Sequence, residues 1–471
     1  MKKIIAAIMS LCIVGGSLPA VYSSAPECVI TASAANYEEI TDGVLHYRVY
    51  ADHAELISSV EKVEGEINIP SIVNEVTVTG IADYAFYECI NLTSIKIPDS
   101  VTSIGEKAFK GCKNLESITI PDTIISIGRE AFCNCIGLTS MTIPDSVTNI
   151  GESVFEYCEK LKSITIPDSV KEIGGNAFAW CSSLESITLS DSLTIIYGDT
   201  FYSCTSLESI TIPNSVTIIG EHAFDGCSSL KSITISDSVK EIGDNAFSYC
   251  SSLESISIPD SVTSIGGEAF SGTKWLESKQ AKNPLVVVNG ILIDGRTCLG
   301  DVVIPDSVTS IGDWAFEDCK KLTSIMIPYS VTSIRDFAFL DCTNLSSITI
   351  MNPDCEIYDD AGTISNDYDH NIYNGTIYGY EDSTAQAYAE KYGYKFEALP
   401  DKALKKGDAN CDDQVNMADA VLIMQSIINP DKYKLTEQGE KNADVDGSGD
   451  VTNNDALKIQ RFKLKLIDSL E

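Results

Sequence analysis

Two short acidic stretches near the C-terminus carry the residues best suited to chemistry. Asp408, Asn410, Asp412, Gln414, Asn416 and Asp419 stand at positions 1, 3, 5, 7, 9 and 12 of a twelve-residue loop. Asp444, Asp446, Ser448, Asp450, Thr452 and Asp455 repeat that spacing 36 residues later. Alternating oxygen donors on a curling loop can surround a hard cation, the seventh residue giving its backbone carbonyl and the ninth acting through water, and calcium is the expected ion. Each loop runs into a segment with apolar residues at helical spacing, AVLIMQSII after the first and ALKIQRFKLKLI after the second, which predicts a helix. One such loop could be chance. Two, each feeding a helix, predict a module holding two calcium ions, against the alternative of acidic turns that bind nothing.

Catalysis has no visible apparatus. His46, His53, His222 and His370 are scattered without a partner pattern, there is no GxSxG elbow, and no carboxylate pair lies outside repeat or calcium positions. His222 falls in a variable turn and reads as a surface residue. The chain is therefore expected not to be an enzyme.

Most of the chain must serve as the carrier of that module. Phe86, Phe109, Phe132, Phe155, Phe178, Phe201, Phe224, Phe247 and Phe270 recur every 23 residues, and Phe316 and Phe339 resume the step after one degenerate unit between Trp275 and Asp301. Such periodicity marks a solenoid whose coils bury their apolar faces on one another. In the unit Ala108–Gly128, AFKGCKNLESITIPDTIISIG, Leu115, Ile118 and Ile120 face one way along a short strand. Pro121 cannot donate to a ladder and ends it; a second apolar segment, Ile124 to Ile127, follows and Gly128 marks a turn.

From about Ile81 to Ile350 these units resemble the BspA-type leucine-rich repeats, with their consensus LxxIxIPxxVxxIGxxAFxxC. The resemblance implies a right-handed arc with a parallel sheet on its concave side, a role in extracellular protein or surface binding, and no enzymatic activity. A polysaccharide-cleaving parallel β-helix has coils of similar size, and the IPxSV and AFxxC blocks fit the leucine-rich pattern better.

Cys89, Cys112, Cys135, Cys158, Cys181, Cys204, Cys227, Cys250, Cys319 and Cys342 each follow the repeat phenylalanine by three residues. Neighbouring coils about 4.8 Å apart would bring the Cα atoms within bridging range. In-register side chains point the same way, however, so buried free thiols are expected rather than disulfides. Ligands in a line, without histidine, do not suit a metal. Ser94, Ser117, Ser140, Ser163, Ser186, Ser209, Ser232 and Ser255 and their neighbouring threonines line the exposed strand face, where hydroxyls bonded across coils, or a groove for a protein or glycan, are the two readings. Tyr87, Tyr157, Trp180, Tyr202 and Tyr249 fall just after the phenylalanine, where packing or edge roles are expected rather than a binding row.

Lys2 and Lys3, the apolar run Ile4 to Val14 and the small residues up to Ala34 have the order of a secretory signal peptide. The expected organisation is a signal peptide (1–34), an N-terminal hairpin cap with a first coil (35–80), leucine-rich repeats (81–350), an α/β C-terminal cap (351–400), a basic linker (401–406) and the calcium module (407–471). With 33 basic and 68 acidic residues the net charge is −35, which repels phosphate backbones and anionic lipid heads and argues against nucleic-acid partners. Nothing after the leader approaches the roughly 18 apolar residues of a membrane span.

The doubled loop-helix unit, with Asp rather than Glu at position twelve and no helix expected before each loop, resembles a type I dockerin of cellulosomal systems. That resemblance places calcium ligation on the twelve residues named above and implies a cohesin domain of a scaffold protein as partner. It also places recognition on loop positions ten and eleven and on basic residues of the following helix: Met417 and Ala418 in the first half, Asn453, Asn454, Arg461 and Lys465 in the second. The halves differ, so one docking orientation is expected. Asp413 stands where Gly is commoner, so the first loop is expected to bind less tightly than the second, which keeps Gly449. The resulting expectation is a secreted, scaffold-associated binding or adhesion subunit with an unknown protein or glycan ligand on its repeat face. A polysaccharide-degrading hydrolase or lyase subunit of the same complex is the alternative.

Overall fold

The computed structural model describes residues 37–59, 63–367, 372–400, 405–412 and 414–470. The expected leader, most of the expected linker, His370 and Asp413 lie outside them.

The repeat folds as a parallel β-solenoid with two ladders. One ladder is made of three-residue strands such as Ser117–Thr119, Ser140–Thr142 and Ser163–Thr165, in which only the central Ile or Met is buried. The other is made of two-residue strands such as Ser103–Ile104 and Ser126–Ile127. The pairing is in register, Ser140 opposite Ser117, Met141 opposite Ile118 and Thr142 opposite Thr119, so identical residues stack. Between the ladders the phenylalanine turns close the coil. Phe109 and Phe132 lie 5.2 Å apart with planes 1° from parallel, and every repeat phenylalanine is at most 2% exposed. Burying each contributes roughly 1.5–3 kcal/mol, but only because a neighbouring coil supplies the other face. Glycine ends the second strand because the coils approach closely there: a Cβ on Gly128 would lie 2.7 Å from the Glu106 backbone nitrogen.

The ends are closed differently. At the N-terminal side β1 (Glu38–Asp42), β2 (Leu45–Val49) and β3 (Ala54–Ser59) form an antiparallel meander, and β3 pairs in parallel with Val76–Ile81. A meander with buried Tyr47 and Leu56 covers an edge that would otherwise be open.

The degenerate unit keeps the repeat spacing but not the coil geometry. Helix α1 (Lys274–Gln280), capped by the Thr273 side chain, replaces the strand, and Val286–Val288 and Ile291–Asp294 form an antiparallel hairpin. Both ladders stop here and restart: one ends at Ser264–Ile265 and resumes in a sheet edged by Val286–Val288, the other ends at Ser255–Ser257 and resumes at Gly300–Val303. The apolar core divides at the same place, between Ile291 and Leu292. At the far end α2 (Thr384–Tyr392) packs Tyr388 inward, where its hydroxyl donates to the Asp360 carbonyl at 2.7 Å. Lys395–Ala398 then adds the final parallel strand.

The C-terminal module has a third core of its own, built from Ala420, Ile423, Ala456 and Ile459 on α3 (Met417–Ile428) and α5 (Asn453–Lys463), with Ala443 from α4 (Glu437–Ala443). Helix α4 ends immediately before Asp444. For the second loop this corrects the reading that no helix precedes it: Thr436 caps a short helix by accepting from Gly439 N–H at 2.9 Å.

Candidate functional site

The two acidic loops share one internal scaffold. Asp419 and Asp455 at position twelve each lie at the third residue of a helix and are fully buried. Asp419 accepts the Asn416 N–H at 2.7 Å and the Asn410 N–H at 3.2 Å; Asp455 accepts the Thr452 N–H at 2.8 Å and the Asp446 N–H at 3.0 Å. Each pair of bonds ties the start of a helix back to its own loop, and the reciprocal bond to Asn416 or Thr452 completes a capping box. Aspartate suits the twelfth position here because a short side chain reaches both amides while still bounding the loop.

In the second loop Asp444, Asp446 and Asp455 bring carboxylate oxygens within 4.8 Å of one another. Asp444 also accepts from the Ser448 and Gly449 amides, both at 2.9 Å. Gly449 has φ +88°, a conformation that strains a residue with a Cβ. In the first loop Asp412 accepts the Gln414 N–H at 2.7 Å, and Asp408 is fully buried. Burial raises the Asp419 carboxyl above its usual range, while the backbone amides of Asn416 and Asn410 pull it down and the charge of Asp412 pushes it up. Buried carboxylates are stabilised by pairing or by a metal, and an all-oxygen set of this kind fits a hard divalent cation. Asn410, Gln414, Asn416, Ser448, Asp450 and Thr452 keep their side chains at least partly exposed around the two loops.

The six residues expected to serve recognition, Met417, Ala418, Asn453, Asn454, Arg461 and Lys465, are all exposed. The structure adds an asymmetry. Met417, Val421, Met424 and Ile428 form one stripe along α3, with Ile428 82% exposed. The matching stripe of α5 is Asn453, Leu457, Gln460 and Leu464.

On the solenoid the strand serines and threonines are exposed, and among the described residues those of Ser117–Thr119 through Ser163–Thr165 make no side-chain bonds to one another. The bonded hydroxyl ladder is therefore absent there, because in-register side chains stand parallel and point to water. They line a shallow groove of about 840 Å³. The cysteines among the described residues are free and buried, and each repeat thiol from Cys112 to Cys250 that stands three residues after its phenylalanine donates to the carbonyl of the phenylalanine in the coil before, as Cys181 does to Phe155 at 3.1 Å; Cys133, outside that ladder, faces Glu156 instead. The turn aromatics cover one another: Tyr157 and Trp180 stack at 5.9 Å, and Trp180 meets Tyr202 edge-on. His222 is held by Asp225 at 2.9 Å and lies 3.4 Å from Glu221, more constrained than a loose surface residue. The degenerate unit brings Glu268 and the buried Asp294 to opposite sides of Arg296, at 2.5 and 2.7 Å. Sequence reading missed that pairing because the two carboxylates are separated by an irregular segment.

Residues 79–204, 171–289 and 295–366 match the BspA type leucine rich repeat region, and residues 406–462 match the Dockerin type I domain. The chain belongs to the BspA-type leucine-rich repeat family. Its dockerin domain coincides with the two acidic loops and α3 to α5. A leucine rich cell surface protein from Faecalibacterium prausnitzii is 31% identical, the match covering 70% of this chain and 98% of that one with a TM-score of 0.46. A leucine-rich repeat protein from Bacteroides ovatus is 23% identical, over 78% of this chain and 98% of that one, with a TM-score of 0.41. A xylanase/beta-glucanase of Ruminococcus flavefaciens is 45% identical over 76 residues, 14% of this chain and 9% of that protein. The chain thus spans under a tenth of the length of that curated relative. Among the described residues no helix is long and apolar enough to cross a membrane.

Proposed function

We propose that the chain is a secreted binding subunit that a calcium-loaded dockerin attaches to a cohesin of a cellulosome-like scaffold, while the leucine-rich face holds a protein or glycan target. The observation that carries the reading is the paired loop geometry: two position-twelve aspartates, each buried and tied to its own loop, with the carboxylates of Asp444, Asp446 and Asp455 converging in the second loop. Calcium would be held by Asp408, Asn410, Asp412, Gln414, Asn416 and Asp419, and by Asp444, Asp446, Ser448, Asp450, Thr452 and Asp455, one ion to each loop. When bound, it supplies charge neutralisation that lets these carboxylates lie close together. The chain's own residues then orient α3 and α5 through the capping boxes and present their exposed stripes. Domain limits of 35–80, 81–350, 351–400 and 407–471 follow the changes in repeat pattern, with 1–34 as leader and 401–406 as linker.

The non-catalytic reading is supported by what the side chains do. In the solenoid Arg296 spans the half-buried Glu268 and the buried Asp294, so that its guanidinium engages both carboxylates. A hydrolase subunit would need a pair open to substrate and water. The likeness to a xylanase/beta-glucanase has the extent of an accessory module and carries no activity by itself.

The test is a calcium-dependent pull-down of type I cohesins with the full chain. Replacing Asn453, Asn454, Arg461 and Lys465 by alanine should weaken docking at least tenfold, whereas replacing Met417 and Ala418 should leave it within twofold. Unchanged affinity after replacing Asn453, Asn454, Arg461 and Lys465 would mean two interchangeable orientations, and no calcium-dependent capture would sink the docking reading.

A further inference from the structure

The interruption of the solenoid leaves a cleft where the two blocks of coils meet. Its volume is about 330 Å³, and it is lined from both sides of the break, by Asp260 and Thr263 before it and by Thr309, Asp313, Ser333 and Arg335 after it. That volume is at the lower end of small-ligand sites.

Three features set the cleft apart from the shallow groove of the strand face. First, the Ser264–Ile265 strand pairs only with the strand before it, so its outer edge opens toward the cleft with ladder groups unused. Second, the Asn289 side chain reaches across the break and donates to the carbonyls of Pro259 and Val262, at 2.8 and 2.9 Å, holding the near rim in place. Third, Arg335 stands where Gly105, Gly128, Gly151, Gly174, Gly220, Gly243, Gly266 and Gly312 stand in their coils. Its guanidinium is exposed and makes no ion pair among the described residues. The Asp313 carboxylate is anchored by the Asp336 N–H at 3.0 Å, and Ser333 and Ser310 share a bond of 2.8 Å, so the polar groups are held in place before any ligand arrives.

We propose that this cleft binds a neutral saccharide of one or two rings, with Arg335 donating to ring or hydroxyl oxygens and Asp260 and Asp313 accepting from hydroxyls. The donor and acceptor mix selects the class. Two carboxylates repel phosphate and sulfate esters, and the guanidinium repels a bare cation. The polar rim disfavours an apolar ligand, and an open edge only two residues long is too short to add a peptide strand. A polyhydroxylated ligand both donates and accepts, and satisfies all of these groups at once. This inference stands apart from scaffold docking, which uses residues 407–471.

The experiment titrates the full chain by calorimetry with cellotetraose, xylotetraose, mannotetraose and maltotetraose, with trigalacturonate and inorganic phosphate as charged arms. At least one neutral tetrasaccharide should bind. Arg335→Gly, which installs the residue of the other coils and so should fold, should weaken it tenfold or more, and Asp313→Asn should weaken it severalfold. Lys113→Ala, in an exposed turn away from both the cleft and the strand face, should leave it unchanged. Absence of binding by every neutral tetrasaccharide, preference for trigalacturonate or phosphate, or unchanged affinity in the Arg335→Gly protein would each overturn the proposal. Cohesin capture measured on the same samples keeps a failure of docking distinct from a failure here.

Discussion

The cysteine ladder shows how one residue type can serve a repeat in two ways. Its position three residues after phenylalanine is plain in the sequence, and burial of free thiols follows from parallel side chains in register. What the sequence does not reveal is the carbonyl each thiol meets, because that depends on how far one coil is displaced from the next. Burial pushes the Cys204 thiol of the ladder up to about 12, and Cys133, which lies beside the ladder, up to about 11, the latter partly offset by Lys110. Thiolate is the reactive form, so the native ladder should resist thiol reagents and react fully only in denaturant, which a colorimetric thiol count would show. Cys158→Ala removes the bond to Phe132 and leaves a small void, and should cost about 1 kcal/mol in a denaturant titration. A carboxyl supplies the pH-dependent counterpart. Asp336 is raised to about 6, chiefly by burial and then by the charges of Asp360, Asp313 and Asp244. A carboxyl whose folded value exceeds its unfolded one favours the fold while protonated, and that contribution is lost as pH rises through about 6. Asp336→Asn should therefore match the parent near pH 4 and surpass it near pH 7 in thermal midpoint. A constant difference across that window would mean that Asp336 does not titrate as its surroundings require.

At the scale of elements, the regular coils were legible and the irregular one was not. Apolar spacing, proline and glycine specify each coil locally, and stacking of identical units carries the error-free copy along the chain. The segment between Trp275 and Asp301 has no copy beside it, so its helix and hairpin depend on tertiary contacts that no periodicity announces. Likewise α4 is only seven residues long and lacks an apolar stripe, which hid it from a reading based on spacing. The irregular coil makes its own demand. Asp294 is 1% exposed and is held by Arg296 and by Gln280 Nε2 at 2.9 Å. Removing one partner of a buried pair leaves an uncompensated charge, at a cost of 3–5 kcal/mol in general. Arg296 is itself 24% exposed, so Arg296→Ala should cost about 3 kcal/mol. Adding Asp294→Asn should restore much of it, because the charge that was stranded is gone. If the double variant is no more stable than the single one, the ion pair is not what holds the two blocks of the solenoid at this junction.

For the molecule as a whole, the three separate cores predict how it comes apart. The leucine-rich blocks are held by stacked apolar side chains that no ion touches, whereas the dockerin core is small and sits behind carboxylates that repel one another. A ligand that binds only the folded form stabilises by an amount that grows with the logarithm of its concentration, about 4 kcal/mol at a thousand times the dissociation constant. Calcium should therefore raise the unfolding temperature of residues 407–471 and leave the solenoid transition where it was. Calorimetry of the full chain with calcium and with chelator should give two transitions in the first case, and in the second a solenoid transition at the same temperature with the dockerin transition lowered or gone. The far-ultraviolet helical signal should fall with chelation while the strand signal persists, since α3 and α5 contribute 12 and 11 residues and the ladders contribute no helix. Were the solenoid transition to shift with calcium by as much as the dockerin one, the two parts would have to share a core, and a passenger carried by a separately folding calcium plug would no longer describe this protein.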